Sequence, residues 1–254
     1  MKRKIRLSKP SNLGSTRAAM DIAKSFILQK TSSGGTLQIL EAGCGSGGGI
    51  DLRGIKCVVT GVDLDERALN LRGEQQNDLD VAIIADLRTV LLNNESYDVV
   101  ISNFVLEHVD GAEDVLKNFA RWLKPGGLII LVIPNRDSGY GFLTRIIPFR
   151  FHILYKKYIQ KIKQAGKPGV GPYPVYFDKV VSQNGIYKFC KDNGLVVKAE
   201  YRLDGRPVRN EALWFFTKTV LQALYLVSFT KLTFDNRNLF YVIEKPQPIN
   251  ADEL

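Results

Sequence analysis

The sequence predicts an α/β domain built on a doubly wound, mostly parallel sheet of seven strands, with helices on both faces and an antiparallel last strand. Three observations carry this reading. Five short apolar runs alternate with helical or irregular segments between residues 37 and 133. The first run leads directly into five glycines within seven residues, Gly43 to Gly49, and the second ends on an acid, Asp63. Apolar runs of this length suit strands buried on both faces. Alternation with helices suits parallel crossovers, and such a sheet binds its ligand outside the carboxyl ends of its strands.

Taken in order, "STRAAMDIAKSFILQK" (residues 15–30) follows a Ser or Thr cap and puts Ala19, Ile22, Ala23, Phe26 and Ile27 on one helical face. The strands follow at Leu37 to Ala42, Cys57 to Val62, Val81 to Ala85, Tyr97 to Ser102 and Leu128 to Ile133. After Pro134 the rhythm breaks for some 40 residues rich in proline and aromatics, an insertion after the fifth strand. A helix is expected near Asp178 to Asn193, then closing strands at Leu195 to Tyr201 and Leu239 to Glu244. Between those two strands, residues 212–229 are apolar on nearly every helical face. A lid, a membrane-surface element, a buried helix and a dimer interface are all compatible with that segment. Lys218 within it argues against a span, since a charge at the bilayer centre costs about 3 kcal/mol. We expect one domain, 1–254, comprising a basic tail and helix (1–35), a core (36–135), the basic insertion (136–177) and the closing strands (178–254).

Charge is unevenly placed. Residues 136 to 191 hold eleven Lys or Arg against two acids, so this segment carries the whole +9 of the 254-residue chain. It is the expected surface for an anionic partner. The odd count of three cysteines, with no C-x-x-C pair, suggests neither a disulfide framework nor a metal site. The basic start "MKRKIRLSKPSN" is broken by Ser8, Lys9 and Pro10 before any apolar stretch of signal length. A cytoplasmic or membrane-peripheral location is therefore expected, and the final "ADEL" has no address function without an entry signal.

The glycine stretch parses in two ways. Gly43-x-Gly45-x-x-Gly48 with Asp63 fits a dinucleotide site. Glu41-x-Gly43-x-Gly45-x-Gly47 fits the first motif of the class I S-adenosylmethionine-dependent methyltransferases. A dinucleotide brings a pyrophosphate, whereas S-adenosylmethionine brings a sulfonium and an ammonium group, and the acids Glu41, Asp63 and Asp86 suit the cationic ligand. "VISNFVLEHV" (100–109) and "LKPGGLIILVIPN" (123–135) complete the pattern. Together, over residues 36–135, these motifs resemble the class I methyltransferase family, in particular the branch containing ubiquinone and menaquinone biosynthesis methyltransferases.

The resemblance implies a Rossmann-like fold, S-adenosylmethionine as cofactor and a set of roles. Glu41, Gly43, Gly45 and Gly47 would hold the methionine end. Asp63 would accept the ribose hydroxyls with Leu64 beside the adenine, Asp86 would accept from the adenine amino group, and Leu87 would pack on its ring. Asn103 would lie near the transferred methyl group. His108 either borders the pocket or packs a helix. His152 is a candidate general base toward an acceptor hydroxyl, the alternative being an exposed or core-satisfied ring.

Methyl transfer needs positioning more than acid–base help, so no catalytic dyad is required. Arg145, Arg150, Lys156, Lys157, Lys161 and Lys163 interleave with Phe142, Phe149, Phe151, Tyr155 and Tyr158. That mixture predicts an anionic or amphiphilic acceptor, whether a small molecule, a glycan or a lipid-linked compound, methylated on oxygen beside a membrane surface. RNA is the rival, since cations among aromatics also hold a single strand. A nicotinamide dehydrogenase and a cofactor-binding protein without turnover are the other readings.

Overall fold

A computed structural model describes residues 10–31, 34–47, 49–159, 161–167, 171–203, 211–228, 232 and 237–248, with backbone alone for 211–214, 216 and 224. The strands are β1 (Ser11–Asn12), β2 (Leu37–Ala42), β3 (Cys57–Asp63), β4 (Val81–Ile84), β5 (Tyr97–Asn103), β6 (Leu123–Pro134), β7 (Val196–Arg202) and β8 (Asn238–Glu244). They form a single sheet in the order β1-β7-β8-β6-β5-β2-β3-β4, in which β8 runs antiparallel to both its neighbours and every other pairing is parallel. The seven expected strands are present, and the two-residue β1 joins as an eighth at the β7 edge. The chain reverses its direction of travel across the sheet between β2 and β5, paired Ile39 to Val99 through Glu41 to Ile101. A ligand crevice belongs at such a switch point.

The period of two in each strand divides the apolar residues between two cores. On β6, Leu128, Ile130 and Val132 face one side while Ile129, Leu131 and Ile133 face the other. The first side is covered by α1 (Thr16–Lys30), where Ala19, Ala23 and Ile27 at four-residue spacing are fully buried. Ser15 caps this helix, its side chain accepting from Ala18 N at 3.2 Å. The second side is covered by α3 (Ala112–Trp122) and α6 (Gln183–Asp192), through Phe119, Trp122, Ile186 and Phe189. Helix α2 (Glu66–Gln75) starts at an Asp65 cap, whose Oδ1 accepts from Ala68 N at 3.1 Å.

The insertion folds as α4 (Gly139–Ile146), α5 (Phe149–Leu154) and a wide turn over Tyr155–Ile159. The apolar segment forms α7 (Glu211–Val227), which packs on α4. Leu221 is buried, whereas Phe215, Leu226 and Val227 are exposed. Phe229 lies outside the described residues. Among those residues, no helix is long and apolar enough to cross a membrane.

One crossover differs from a standard βαβ unit. Between β2 and β3 the described residues contain turns and no helix. The glycines explain this, since each costs about 1 kcal/mol relative to alanine in a helix and Gly43, Gly45 and Gly47 all take positive φ. Ile50 and Ile55 still bury themselves in the α1-side core, so the loop is pinned at its far end.

Candidate active site

A cleft of about 750 Å³ opens at the carboxyl ends of β2, β3, β4 and β5. Its floor is the turn after β2, Gly43 to Gly47, and its walls are Asp63 to Asp65, Ala85 to Leu87 and Asn103 to Val105. Thr16 from α1 and the segment Tyr173–Tyr176 close it from either side. Glu41, Gly43, Gly45, Gly47, Asp63, Leu64, Asp86, Leu87, Asn103 and His108 all line this space. His152 does not: its Nε2 sits 3.2 Å from both Thr144 O and Ile147 O, at the end of α4.

The glycines are required by local geometry. A Cβ on Gly43 would collide with the side chain of Val105, and one on Gly47 with the side-chain amide of Gln76. A Cβ on Gly45 would meet nothing within 4 Å, although φ is +51° there, so that backbone faces open space. Its amide donates to Asp63 Oδ2 at 2.7 Å, while Asp63 Oδ1 accepts from Asp65 N at 2.8 Å.

The three strand-end acids differ in their partners. Glu41 is buried and paired with Arg72 at 2.5 Å. Asp86 is held by Arg88 at 2.5 Å, a contact that depresses its pKa below the ordinary carboxylate value. Among the described residues no cation pairs with Asp63, so its charge is balanced only by backbone amides. An uncompensated carboxylate at the mouth of a cleft favours hydroxyl donors and cations and repels a pyrophosphate. Burial, with Asp63 adding to it, pushes the Cys44 thiol up to about 12, so Cys44 is no thiolate nucleophile at neutral pH.

Beyond the acids the wall changes character. Asn103 Oδ1 is buried and accepts no hydrogen bond, while its Nδ2 rests 3.8 Å from Met20 Sδ. An orphaned buried acceptor beside a cleft calls for a donor from a ligand. The next residue, Phe104, holds φ at +56°, and backbone held in this region concentrates at ligand sites. His108 Nδ1 lies 2.6 Å from Pro174 O, and its ring meets Tyr173 edge-on at 5.8 Å. A carbonyl can only accept, so Nδ1 carries the proton and Nε2 keeps its lone pair. Burial, with nearby Lys156 adding to it, lowers the His108 pKa and keeps the ring neutral.

Two features escape sequence reasoning. Tyr173 to Tyr176 form a strap over the cleft, tied down by Tyr176 N donating to Glu107 O at 2.8 Å. Glu107 itself is buried, its Oε2 has no partner, and burial raises its pKa to about 8. Its Oε1 lies 3.8 Å from His108 Nε2. Its position beside His108 in "LEHV" was the available signal, but only tertiary packing reveals that this acid is buried.

Residues 40–131 match the model of the "Methyltransferase domain" family. Over that stretch the core is similar to S-adenosylmethionine-dependent methyltransferases, the family its motifs resemble. Relatives of the methyltransferase core include a malonyl-[acyl-carrier protein] O-methyltransferase of Enterobacter lignolyticus, 31% identical over 40% of this chain and 40% of its own. A ubiquinone biosynthesis O-methyltransferase of Rickettsia typhi is 27% identical over 69% of this chain and 66% of its own. The chain spans about half the length of the first curated relatives, 40%, 60% and 41% of three of them. The plantazolicin methyltransferase BpumL, solved with SAH, matches with a TM-score of 0.54 at 17% identity over 90% of this chain and 83% of its own. The [4+2]-cyclase SpnF gives the same TM-score, 0.54, at 13% identity over 91% of this chain and 83% of its own, so fold likeness alone does not fix the reaction.

Proposed function

We propose that the chain transfers a methyl group from S-adenosylmethionine to a hydroxyl of an anionic or amphiphilic acceptor, a small molecule, glycan or lipid-linked compound, presented at a membrane surface. The observation that carries the reading is that Tyr173, Pro174 and Tyr176 of the insertion cap the strand-end cleft, while the rest of the insertion exposes both cations and apolar side chains. In this reading 1–254 is one domain, with the cofactor in core 36–135 and the acceptor under insertion 136–177.

Glu41 and the backbone of Gly43, Gly45 and Gly47 receive the methionine end. Asp63 accepts both ribose hydroxyls, the role its free carboxylate face suits best. Leu64, 69% exposed although apolar, and buried Leu87 enclose the adenine. Asp86 contributes less to adenine binding than Asp63 does to ribose, because Arg88 already occupies both its oxygens. Asn103 Oδ1 lies where a donor from the cofactor or acceptor would satisfy it.

The cofactor supplies an electrophilic methyl group, and the chain's task is to hold the acceptor oxygen in line with it. The hydroxyl proton must leave as the new bond forms. His108 Nε2, neutral and fixed by Pro174, takes it, and the ring becomes imidazolium. His152, turned onto the α4 carbonyls, has no part in this step. Tyr173 and Tyr176 exclude water above the acceptor.

Several features support an amphiphilic acceptor. Phe149, Phe151, Leu154, Tyr158 and Ile159 are exposed on the insertion, as are Phe215, Leu226 and Val227 on α7, the helix packed against it. Arg150, Lys157, Lys161 and Lys163 of the same insertion are exposed as well. Anionic headgroups and acyl chains together complement it, as they do an interfacial helix.

The test is methyl transfer from labelled S-adenosylmethionine into cell extract separated into lipid, small-molecule, RNA and protein fractions. Label in the lipid or small-molecule fraction is expected. Label confined to RNA or protein overturns the acceptor assignment.

A further inference from the structure

Among its described residues, the loop that would touch the cofactor has no helix of its own to hold it. Its amide side is secured by β3: Gly43 N and Cys44 N donate to Val62 O at 2.8 and 3.3 Å, and Gly45 N donates to Asp63. Its carbonyl side is secured from elsewhere. Arg72 Nη1 donates to Cys44 O at 3.2 Å, and Gln76 Nε2 donates to Ser46 O at 2.9 Å. Arg72 is on α2 and Gln76 is the residue that ends it, four positions apart, so both lie one turn apart on the same face. They grip alternate carbonyls of the loop.

We propose that Arg72 and Gln76 are positioning residues that hold the glycine loop in its cofactor-binding shape, so that α2 performs the ordering that a helix after β2 would otherwise supply. The inference rests on the cofactor site proposed above and concerns residues to which the glycine and strand-end motifs assign no role.

Arg72 is only 2% exposed, and all three nitrogens of its guanidinium are engaged. Nη1 also reaches Glu41 Oε2, while Nε and Nη2 chelate the two oxygens of Asp78 at 2.8 and 3.0 Å. A lysine ammonium cannot span this set, because it is a single compact donor centre. The pairing also fixes where Glu41 points. With Oε2 taken by Arg72, Oε1 stays beside Gly49, 2.9 Å from where its Cβ would be. At its other end α2 is tied to Asp63 through Asp65, the cap whose amide donates to Asp63 Oδ1. One helix therefore sets the distance between the carboxylate proposed for the ribose and the loop proposed for the methionine end.

The test is calorimetric titration of the full chain with S-adenosylhomocysteine, in the wild type, Gln76→Ala and Arg72→Met. Gln76 is exposed and touches the loop through one hydrogen bond, so Gln76→Ala is expected to keep the wild-type Tm and weaken binding about fivefold. Arg72→Met is expected to weaken it about tenfold or more, with Arg72→Lys giving little recovery. Amide exchange at residues 43–47 should quicken in both Gln76→Ala and Arg72→Met, a change that general destabilisation would not confine to the loop. If either folded variant binds within twofold of the wild type with unchanged exchange, its residue has no positioning role. Should Arg72→Met fail to fold, Gln76→Ala decides. Absence of binding by the wild type itself would instead overturn the cofactor site.

Discussion

Asp63, Glu107 and His108 show how far one carboxylate or imidazole is determined by its surroundings. Asp63 ends β3 with both oxygens on backbone amides and no described cation, a state the sequence foreshadows through a strand-end acid after a glycine turn. Its replacement by Ala should weaken cofactor binding by about 10²-fold, since the two charge-assisted hydrogen bonds proposed to ribose are lost, read by calorimetry on the folded variant. Replacing His108 by Asn keeps a donor toward Pro174 and removes the proposed base. We expect kcat to fall about 10²-fold, in the range of a lost general base, with cofactor affinity preserved. Glu107 was not legible in the same way, because nothing local separates a buried acid from a solvated one. Its pKa rises from 4.5 to about 8 on burial. Between those values the folded chain binds more protons than the unfolded chain, so stability falls as pH rises and levels off above about 8. Glu107→Gln should therefore flatten the decline in Tm between pH 5 and pH 8. A decline as steep as that of the wild type would mean that Glu107 is ionised in the fold.

The elements divide along similar lines. Strands β2 to β6 were readable because each is an apolar run with a defined end, and α1 because a Ser cap precedes a four-residue apolar spacing. The loop after β2 was readable in part: three glycines in a row predict a short or frayed helix, and the described residues there form none. What holds that loop, Arg72 and Gln76, was hidden because the contact joins residues 28 and 30 positions apart. Binding of S-adenosylhomocysteine should raise amide-exchange protection across residues 47–54, and unchanged protection would mean that the loop is already fully ordered. The insertion was legible in composition but not in direction. Its cations were expected around the acceptor, and His152 among them, yet His152 turns to α4. For α7 the sequence left four roles open, and its exposed Phe215 and Leu226 speak against the fully buried one. Phe215→Ser with Leu226→Ser should reduce sedimentation with vesicles of anionic lipid several-fold, since each lost apolar contact is worth about 1.5–3 kcal/mol when fully buried. Equal sedimentation of the variant would remove α7 from the docking surface.

For the molecule as a whole, the sheet order, the switch point between β2 and β5 and the cleft above it follow from alternation of strand and helix, rules that hold across many sequences. The acceptor does not follow from such rules, because the insertion and α7, proposed to set it, lie outside residues 40–131 that match the family model. The central claim is therefore about the cleft: it takes S-adenosylmethionine, with Asp63 on the ribose, and not a dinucleotide. Calorimetric titration of the wild type and of Asp63→Ala with S-adenosylhomocysteine and with NAD tests it directly. The account predicts saturable S-adenosylhomocysteine binding that is lost or severely weakened in Asp63→Ala, and no heat with NAD. Binding of NAD, or S-adenosylhomocysteine affinity indifferent to Asp63, would contradict it.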